Sequence, residues 1–236
     1  VSEDGSLVVI VSEEDFYSTR LIKTGDGALI AELDVGGLSM PEAVFSPDGG
    51  MVVTNNNSVP PNLRMWDTSH GSLLRVIDEE VDVAGFLQRF TPDGSKLVVG
   101  GYTGSIYILD VEKLAAGPPT EESIVREIPA HNGFITRILG VSADGSKIFS
   151  RSHDEPLKVW DLETGEKLGE FGGTERMGAA FHPTKPWLYV ALPDDQIGVY
   201  TLDTDELMEI ARSRLTRDLT DEECQAYLRR GCAEDA

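Results

Sequence analysis

The chain has 236 residues, 40% of them hydrophobic and 24 of them glycine, a balance that suits a turn-rich β protein able to bury a core. Its 41 acidic against 20 basic residues leave a net charge of −21, which repels phosphate backbones and anionic lipid within a Debye length of roughly 8 Å and disfavours direct nucleic-acid binding by this segment. No apolar run reaches the length of a membrane span, and Val1-Ser2-Glu3-Asp4-Gly5 has neither the basic start nor the apolar core of a signal peptide.

From the first residues onward one phrase recurs: a β-rich run, Asp-Gly, and a second β-rich run. It stands at Val1-Ser2-Glu3-Asp4-Gly5-Ser6, Phe45-Ser46-Pro47-Asp48-Gly49-Gly50, Phe90-Thr91-Pro92-Asp93-Gly94-Ser95 and Val141-Ser142-Ala143-Asp144-Gly145-Ser146. A degenerate fifth copy is Phe181-His182-Pro183-Thr184-Lys185-Pro186. Positions 4, 48, 93, 144 and 184 are spaced by 44, 45, 51 and 40 residues, close to the roughly 40 to 45 residues of a four-stranded blade. Asp-Gly supplies the positive φ of a tight hairpin turn without steric cost, so strands are predicted on both sides of it.

After each turn the predicted order is a middle strand such as Leu97-Val98-Val99, a polar loop, and a third strand ending in a large apolar residue. The third strands are Leu63-Arg64-Met65-Trp66-Asp67, Ile106-Tyr107-Ile108-Leu109-Asp110 and Leu157-Lys158-Val159-Trp160-Asp161. A second turn leads to outer strands over residues 28–33, 72–77, 124–128 and 166–171. With the inner strand that precedes each Asp-Gly, this makes four strands per repeat.

Trp66-Asp67 and Trp160-Asp161 resemble the signature dipeptide of WD-repeat β-propellers. The resemblance covers residues 1 to about 203 and implies an all-β fold: about five four-stranded antiparallel blades, the first and last incomplete, in residues 1–203, and a short helical tail in 204–236. Ala130-His131 resembles the family's Gly-His before an inner strand, and residues 150–161 resemble its middle-to-third-strand hairpin. By position, the resemblance implies that His131, Ser152, Asp154 and Trp160 form the family's buried hydrogen-bonded tetrad, a network that carboxylate, hydroxyl, imidazole and indole can sustain. A His/Ser/Asp set also has a catalytic reading. Its place in the repeat and the lack of a Gly-x-Ser-x-Gly turn favour the structural one, so no catalytic residue is assigned. Copies one, three and five carry Ile22-Lys23, Leu109-Asp110 and Tyr200-Thr201 in place of Trp-Asp and are expected to rely on apolar packing.

The same resemblance implies a seven-bladed ring, with about two blades and the closing strand upstream of Val1, so the chain is expected to be the C-terminal portion of a longer polypeptide. An open array leaves a strand edge unpaired, and the chain alone is expected to dimerise or aggregate.

From Asp203 the period becomes helical: Leu207, Ile210, Ala211 and Leu215 share a face. Asp203 with Glu206 is a candidate capping box, and Thr220-Asp221-Glu222-Glu223 opens a second helix to about Arg229. Residues 210–228 resemble the closing segment of multidomain bacterial WD-repeat regulators, which implies an upstream effector domain in the same polypeptide. Arg212, Arg214 and Arg217 are a basic cluster read as facing solvent or the acidic blades. Cys224 and Cys232 lie near the end, so no disulfide framework pins the body and a reducing cytoplasm fits.

Loops leading into inner strands and loops joining middle to third strands are expected on one face. They carry Glu13, Glu14, Asp15, Asn55, Asn56, Asn57, Asp154, Glu155, Asp194 and Asp195, with Asp78, Glu79, Glu80 and Glu175. Converging carboxylates steer basic partners, so Glu13, Glu14, Asp15, Asn55, Asn56, Asn57, Asp194 and Asp195 are the candidate contacts for a protein or basic peptide. The long loop over 55–62 is placed to give specificity. The function read is a non-catalytic interaction scaffold, the C-terminal sensor or regulatory propeller of a bacterial signalling or transcription-regulatory protein, with no cofactor, metal or membrane contact. The alternative is a propeller hydrolase or quinoprotein with a metal at the central channel, where acidic pairs could ligate Ca²⁺. Fold alone confers no chemistry, and His70, His131, His153 and His182 are not in metal-ligand spacing with one another.

Overall fold

The computed structural model describes residues 1–12, 18–36, 42–56, 62–77, 88–117, 121–132, 136–153, 155–171, 178–192, 196–214 and residue 220. The chain divides into two compact units, Val1–Val199 and Tyr200–Ala236, and each is taken by itself.

The Asp-Gly turns organise the first unit. The hydroxyls of Ser2, Ser46, Thr91 and Ser142 donate to the carboxylates of Asp4, Asp48, Asp93 and Asp144 at 2.7, 2.6, 2.5 and 2.5 Å. Each hydroxyl oxygen also accepts the N–H five residues on, from Leu7, Met51, Lys96 and Lys147, and each carboxylate accepts the N–H two residues on, from Ser6, Gly50, Ser95 and Ser146. The intervening glycines have φ near 70°, as at Gly49 and Gly94, where a side chain would be strained. These donors, led by the Ser6 N–H at Asp4 and the Thr91 hydroxyl at Asp93, hold both carboxyls at about 2. At Asp144 burial pushes upward, but Ser142 and Ser146 outweigh it and the value is again about 2. In the fifth copy His182 substitutes an imidazole: Nδ1 accepts the N–H groups of Thr184 and Lys185, both at 3.1 Å.

Between the turns lie five antiparallel sheets, each with its strands in chain order. Blade one is β1 (Leu7–Ser12), β2 (Ser18–Lys23) and β3 (Leu29–Leu33). Blade two is β4 (Ala43–Phe45), β5 (Met51–Asn56), β6 (Asn62–Asp67) and β7 (Leu73–Ile77). Blade three is β8 (Arg89–Phe90), β9 (Lys96–Gly100), β10 (Ser105–Asp110) and β11 (Ile124–Pro129). Blade four is β12 (Arg137–Val141), β13 (Lys147–Arg151), β14 (Leu157–Asp161) and β15 (Lys167–Phe171). Blade five is β16 (Ala179–Phe181), β17 (Trp187–Leu192) and β18 (Gln196–Thr201). Among the described residues, three blades therefore have four strands and the two outermost have three. The inner strands β4, β8, β12 and β16 follow one another side by side.

Strand alternation explains why the sheets stack. Val52 packs with Trp66 against Leu21 and Leu33 of blade one, whereas its neighbour Val53, with Leu63 and Met65, packs against Leu97, Val99 and Leu109 of blade three. Val98, Ile106 and Ile108 turn the other way, onto Ile138, Ile148 and Trp160 of blade four. Successive side chains on one strand thus serve opposite neighbours, and blades two and three are buried on both faces. Phe149 of β13 continues the series, meeting Phe181 of β16 edge-on at 5.8 Å. The architecture is that of β-propeller blades, as the sequence pattern predicts.

One element was not legible in the pattern. Gly27, Gly71 and Gly165 close the turn between third and outer strands, each N–H returning to the carbonyl four residues back. Blade three has Leu114 at that place, and the chain runs on as α1 (Val111–Ala116), with Val111 and Leu114 buried. Asp110 Oδ1 accepts the Lys113 N–H at 3.0 Å, just as Asp67 accepts from His70 at 3.0 Å and Asp161 from Thr164 at 2.7 Å. Aspartate therefore starts turn and helix alike, and the residue four positions on decides which forms.

In the second unit α2 (Thr204–Arg214) starts at Asp203, whose Oδ1 accepts the N–H groups of Asp205 and Glu206 at 2.8 and 3.1 Å. The return half of the predicted capping box is different. The Glu206 carboxylate accepts from the Thr201 hydroxyl at 2.6 Å, and it is Thr201 Oγ1 that accepts the Asp203 N–H. Leu215, Arg217, the predicted second helix, Cys224 and Cys232 lie outside the described residues. Among the described residues no helix is long and apolar enough to cross a membrane.

Candidate functional site

The polar centre of the first unit is in blade four, at the upper end of the sheet, where loops lead into inner strands and join middle to third strands. Trp160 lies opposite Ile148 in the β13–β14 register. Its same-face diagonal neighbour is Ser150, within reach of a large side chain, while Ser152 is two residues farther along the strand. Accordingly Trp160 Nε1 donates to Ser150 Oγ at 2.8 Å, and Ser150 Oγ contacts His131 Nε2 at 2.9 Å. His131 Nδ1 meets Glu155 Oε2 at 2.8 Å. Glu155 also accepts the Asn132 N–H at 2.7 Å and the Lys158 ammonium at 2.6 Å, and Lys158 donates in addition to the Ala130 carbonyl.

This arrangement corrects the expected tetrad. His131 and Trp160 lie together, but the hydroxyl between them is that of Ser150. Ser152 is buried just past the end of β13, and its hydroxyl makes no hydrogen bond among the described residues. Asp154 lies outside the described residues, and the carboxylate on the imidazole is that of Glu155.

The donors fix the charge states. The carboxylate can only accept, so Nδ1 carries the ring proton and Ser150 donates to Nε2 while accepting from the indole. Burial pushes the His131 imidazole below its ordinary value, against the pull of Glu155, so the ring is neutral. Burial pushes the Glu155 carboxyl upward, but the Lys158 ammonium, the Asn132 N–H and His131 outweigh it and hold it at about 2. Ser150, His131 and Glu155 have the connectivity of a nucleophile, base and orienting acid. Yet Ser150 is wholly enclosed and its oxygen already holds the indole proton donor, so the set ties a loop to a sheet and has no open side toward a substrate.

Blade two repeats the anchor without the histidine. Trp66 Nε1 donates to Thr54 Oγ1 at 2.9 Å, and Thr54 is two residues beyond Val52, the register partner of Trp66. Where the tryptophan is missing, so is the hydroxyl. Leu109 pairs with Leu97 and the corresponding residue is Val99; Ile22 pairs with Val8 and the corresponding residue is Ile10. Indole and hydroxyl are present or absent together, which is what an otherwise unsatisfied buried N–H requires.

No family model matches the chain. It is 31% identical over 129 residues to the mouse echinoderm microtubule-associated protein-like 3, covering 53% of this chain and 13% of that protein. It is 25% identical over 195 residues to mouse WD repeat-containing protein 90, covering 80% of this chain and 9% of that protein. The likeness supports the WD-repeat family. Human WD repeat-containing protein 18 is also similar, at 26% identity over 121 residues, 49% of this chain and 27% of that protein. The chain thus spans between about a tenth and a quarter of the length of these WD-repeat relatives. WD-repeat proteins are generally non-catalytic scaffolds.

Of the docking residues expected on the blades, Glu13, Glu14, Asp15, Asn57, Asp194 and Asp195 lie outside the described residues, as do Asp78, Glu79, Glu80 and Glu175. The side chain of Asn56 is also outside them. Asn55 is a correction: β5 extends past it, so it is a buried strand residue whose Oδ1 accepts the Glu42 N–H at 2.7 Å. Glu155 is likewise taken up internally. Among the described residues no three of His, Cys, Asp and Glu are grouped to hold a metal. What sequence reasoning missed is a set of buried atoms. Ser18 Oγ, Arg64 Nε, Gln88 Oε1, Thr136 Oγ1 and Ser152 Oγ have no hydrogen-bond partner among the described residues. All five belong to the upper ends: Ser18 begins β2, Arg64 is near the start of β6, Gln88 and Thr136 precede β8 and β12, and Ser152 follows β13.

Proposed function

We propose that this chain is a non-catalytic interaction platform that receives a basic protein or peptide at the upper ends of its blades. The observation that carries this reading is the run of acidic residues in the loops at that end, on a fold whose WD-repeat relatives are generally non-catalytic scaffolds. The lower ends, by contrast, repeat the Asp-Gly hydrogen-bond set four times. Charge gives the sign of the partner. The loops that belong to the upper ends carry Glu13, Glu14, Asp15, Asp194 and Asp195 in a chain of net charge −21, and focused negative potential attracts basic surfaces. The likeness to WD repeat-containing proteins supports a scaffold. For the finer setting, residues 210–228 support the regulatory propeller of a larger bacterial signalling or transcription-regulatory protein, the incomplete first and last blades support a C-terminal place in it, and the placement of Cys224 and Cys232 supports a reducing cytoplasm; the similar WD-repeat proteins are from mouse and human.

The test is titration of the chain with a synthetic lysine-rich peptide at low and high salt, for the parent and for Asp194→Lys with Asp195→Lys. Binding that weakens with salt and with the charge reversal is expected. Binding indifferent to both, or none at low salt, overturns the reading.

A further inference from the structure

Each seam inside the first unit joins two faces of different kind. Third strands supply the forward face: Leu63 and Met65 of blade two turn onto blade three, and Ile106 and Ile108 of blade three turn onto blade four. In blade four Val159 lies opposite Phe149, which meets Phe181 of blade five, and Leu157 shares that side. These six residues are at most 2% exposed. Middle strands supply the backward face. Val52, Leu97 and Ile148 turn onto the preceding blade, and they and the residues two further on, Thr54, Val99 and Ser150, are fully enclosed.

Blades five and one each carry one such face whose places are open. Tyr200-Thr201 stand where blade four has Trp160-Asp161, so Ile197 and Val199 take the places of Leu157 and Val159. They are 70% and 56% exposed. In blade one Leu21 packs with Trp66 of blade two, so Ile22 points the other way. Val8 pairs with Ile22, and Val8 and Ile10 thus take the places of Val52 and Thr54. Ile10 is 47% exposed.

We propose that these two faces dock a second copy of this chain head to tail, blade five of one copy against blade one of the next. The chain carries one face of each kind, and the contact repeats between copies the packing of Ile106 and Ile108 against Ile148. Because the two patches differ, the interface is heterologous. It is separate from the upper ends and from any basic partner there. Both copies carry a net charge of −21, so self-association should strengthen with salt, opposite in sign to the binding of a basic peptide.

The test is sedimentation velocity over a range of concentrations on the parent chain, on Ile10→Glu and on Ile197→Glu. Both positions are exposed within one copy, so each variant should keep the parent's circular dichroism. The parent should gain mass as concentration rises. Each variant alone should remain a single copy at concentrations about tenfold above those at which the parent associates, because a carboxylate would be buried in the contact. An equal mixture of the two variants should form a pair, since the intact blade five of one meets the intact blade one of the other. A parent that stays a single copy, a variant that associates as the parent does, or a mixture no heavier than its components overturns the proposal.

Discussion

Gly100 and Thr136 stand so close that a Cβ on Gly100 would lie 1.8 Å from the Thr136 carbonyl oxygen. Gly100 ends the middle strand of blade three, and Thr136 leads into the inner strand of blade four. The neighbouring Gly101 carbonyl accepts the Thr136 N–H. The spacing of two blades is therefore set at a contact between backbones, which no side-chain rotation can relieve. Gly100→Ala should destabilise the chain by about 1–3 kcal/mol or more, read as a fall in denaturation midpoint. Gly117→Ala is the control: its φ is −156° and nothing lies within 4 Å of the added carbon, so a change within about 0.5 kcal/mol is expected. Equal effects of the two substitutions would show that the blades can part at no cost.

The two tryptophan anchors should differ in strength. Ser150→Ala removes the acceptor of Trp160 and the donor to His131 at once, whereas Thr54→Val removes only the acceptor of Trp66. Leaving a buried polar group unsatisfied costs about 1–3 kcal/mol, so Ser150→Ala should be the more damaging. Trp160→Phe combined with Ser150→Ala should lose less than the sum of the two. Equal losses in blades two and four would refute the wider network around Ser150.

Much of this fold can be read from the residues themselves. The Asp-Gly recurrence locates the hairpins because carboxylate, hydroxyl and glycine supply the whole hydrogen-bond set of the turn locally. The tetrad is less legible. The resemblance to the family's hairpin points to Ser152, but which serine meets the indole depends on cross-strand register, and Ile148 opposite Trp160 selects Ser150. Helix α1 was hidden for a different reason. Asp110 looks like the aspartates that open the turns, and only Leu114 in the glycine position lets the helix continue. Asn55 reads as a loop residue because an asparagine run suggests a polar loop, whereas its pairing with Leu63 continues the strand.

Acid should loosen blade four in two steps. His131 is held neutral by burial, below its ordinary value of 6.5, so the unfolded chain takes up its proton first and stability falls as the pH drops below that value. Glu155, ordinarily near 4.5, is held at about 2. Its contribution is complete above 4.5 and is lost as the pH falls toward 2. Asp4, Asp93 and Asp144 add to this second step between 3.8 and about 2. Thermal melts across this range should show a shallow decline below pH 6.5 that steepens below 4.5, and His131→Gln should flatten the first part and, because His131 also helps to hold Glu155 low, change the second less. A melting temperature constant between pH 6.5 and 4.5 would contradict the neutral, buried imidazole.

Glu155 gathers three donors, the His131 ring, the Asn132 N–H and the Lys158 ammonium, and so ties the loop ahead of β12 to the hairpin that begins β14. Glu155→Gln keeps the shape but offers one acceptor oxygen and turns an NH₂ group toward a donor. At least one of the three then loses its acceptor, at a cost of about 1–3 kcal/mol. The most exacting consequence concerns Lys158, whose side chain is only 11% exposed. Without the Glu155 charge its ammonium is left nearly enclosed, with only the farther charge of its cross-strand partner Glu170 to offset it, which is worse than having no ammonium there. Adding Lys158→Met to Glu155→Gln should therefore recover part of the loss, with a coupling of about 0.5–3 kcal/mol in a double-mutant cycle followed by chemical denaturation. Strict additivity would mean that carboxylate and ammonium are solvated independently, and that the loop ahead of β12 is held by His131 alone.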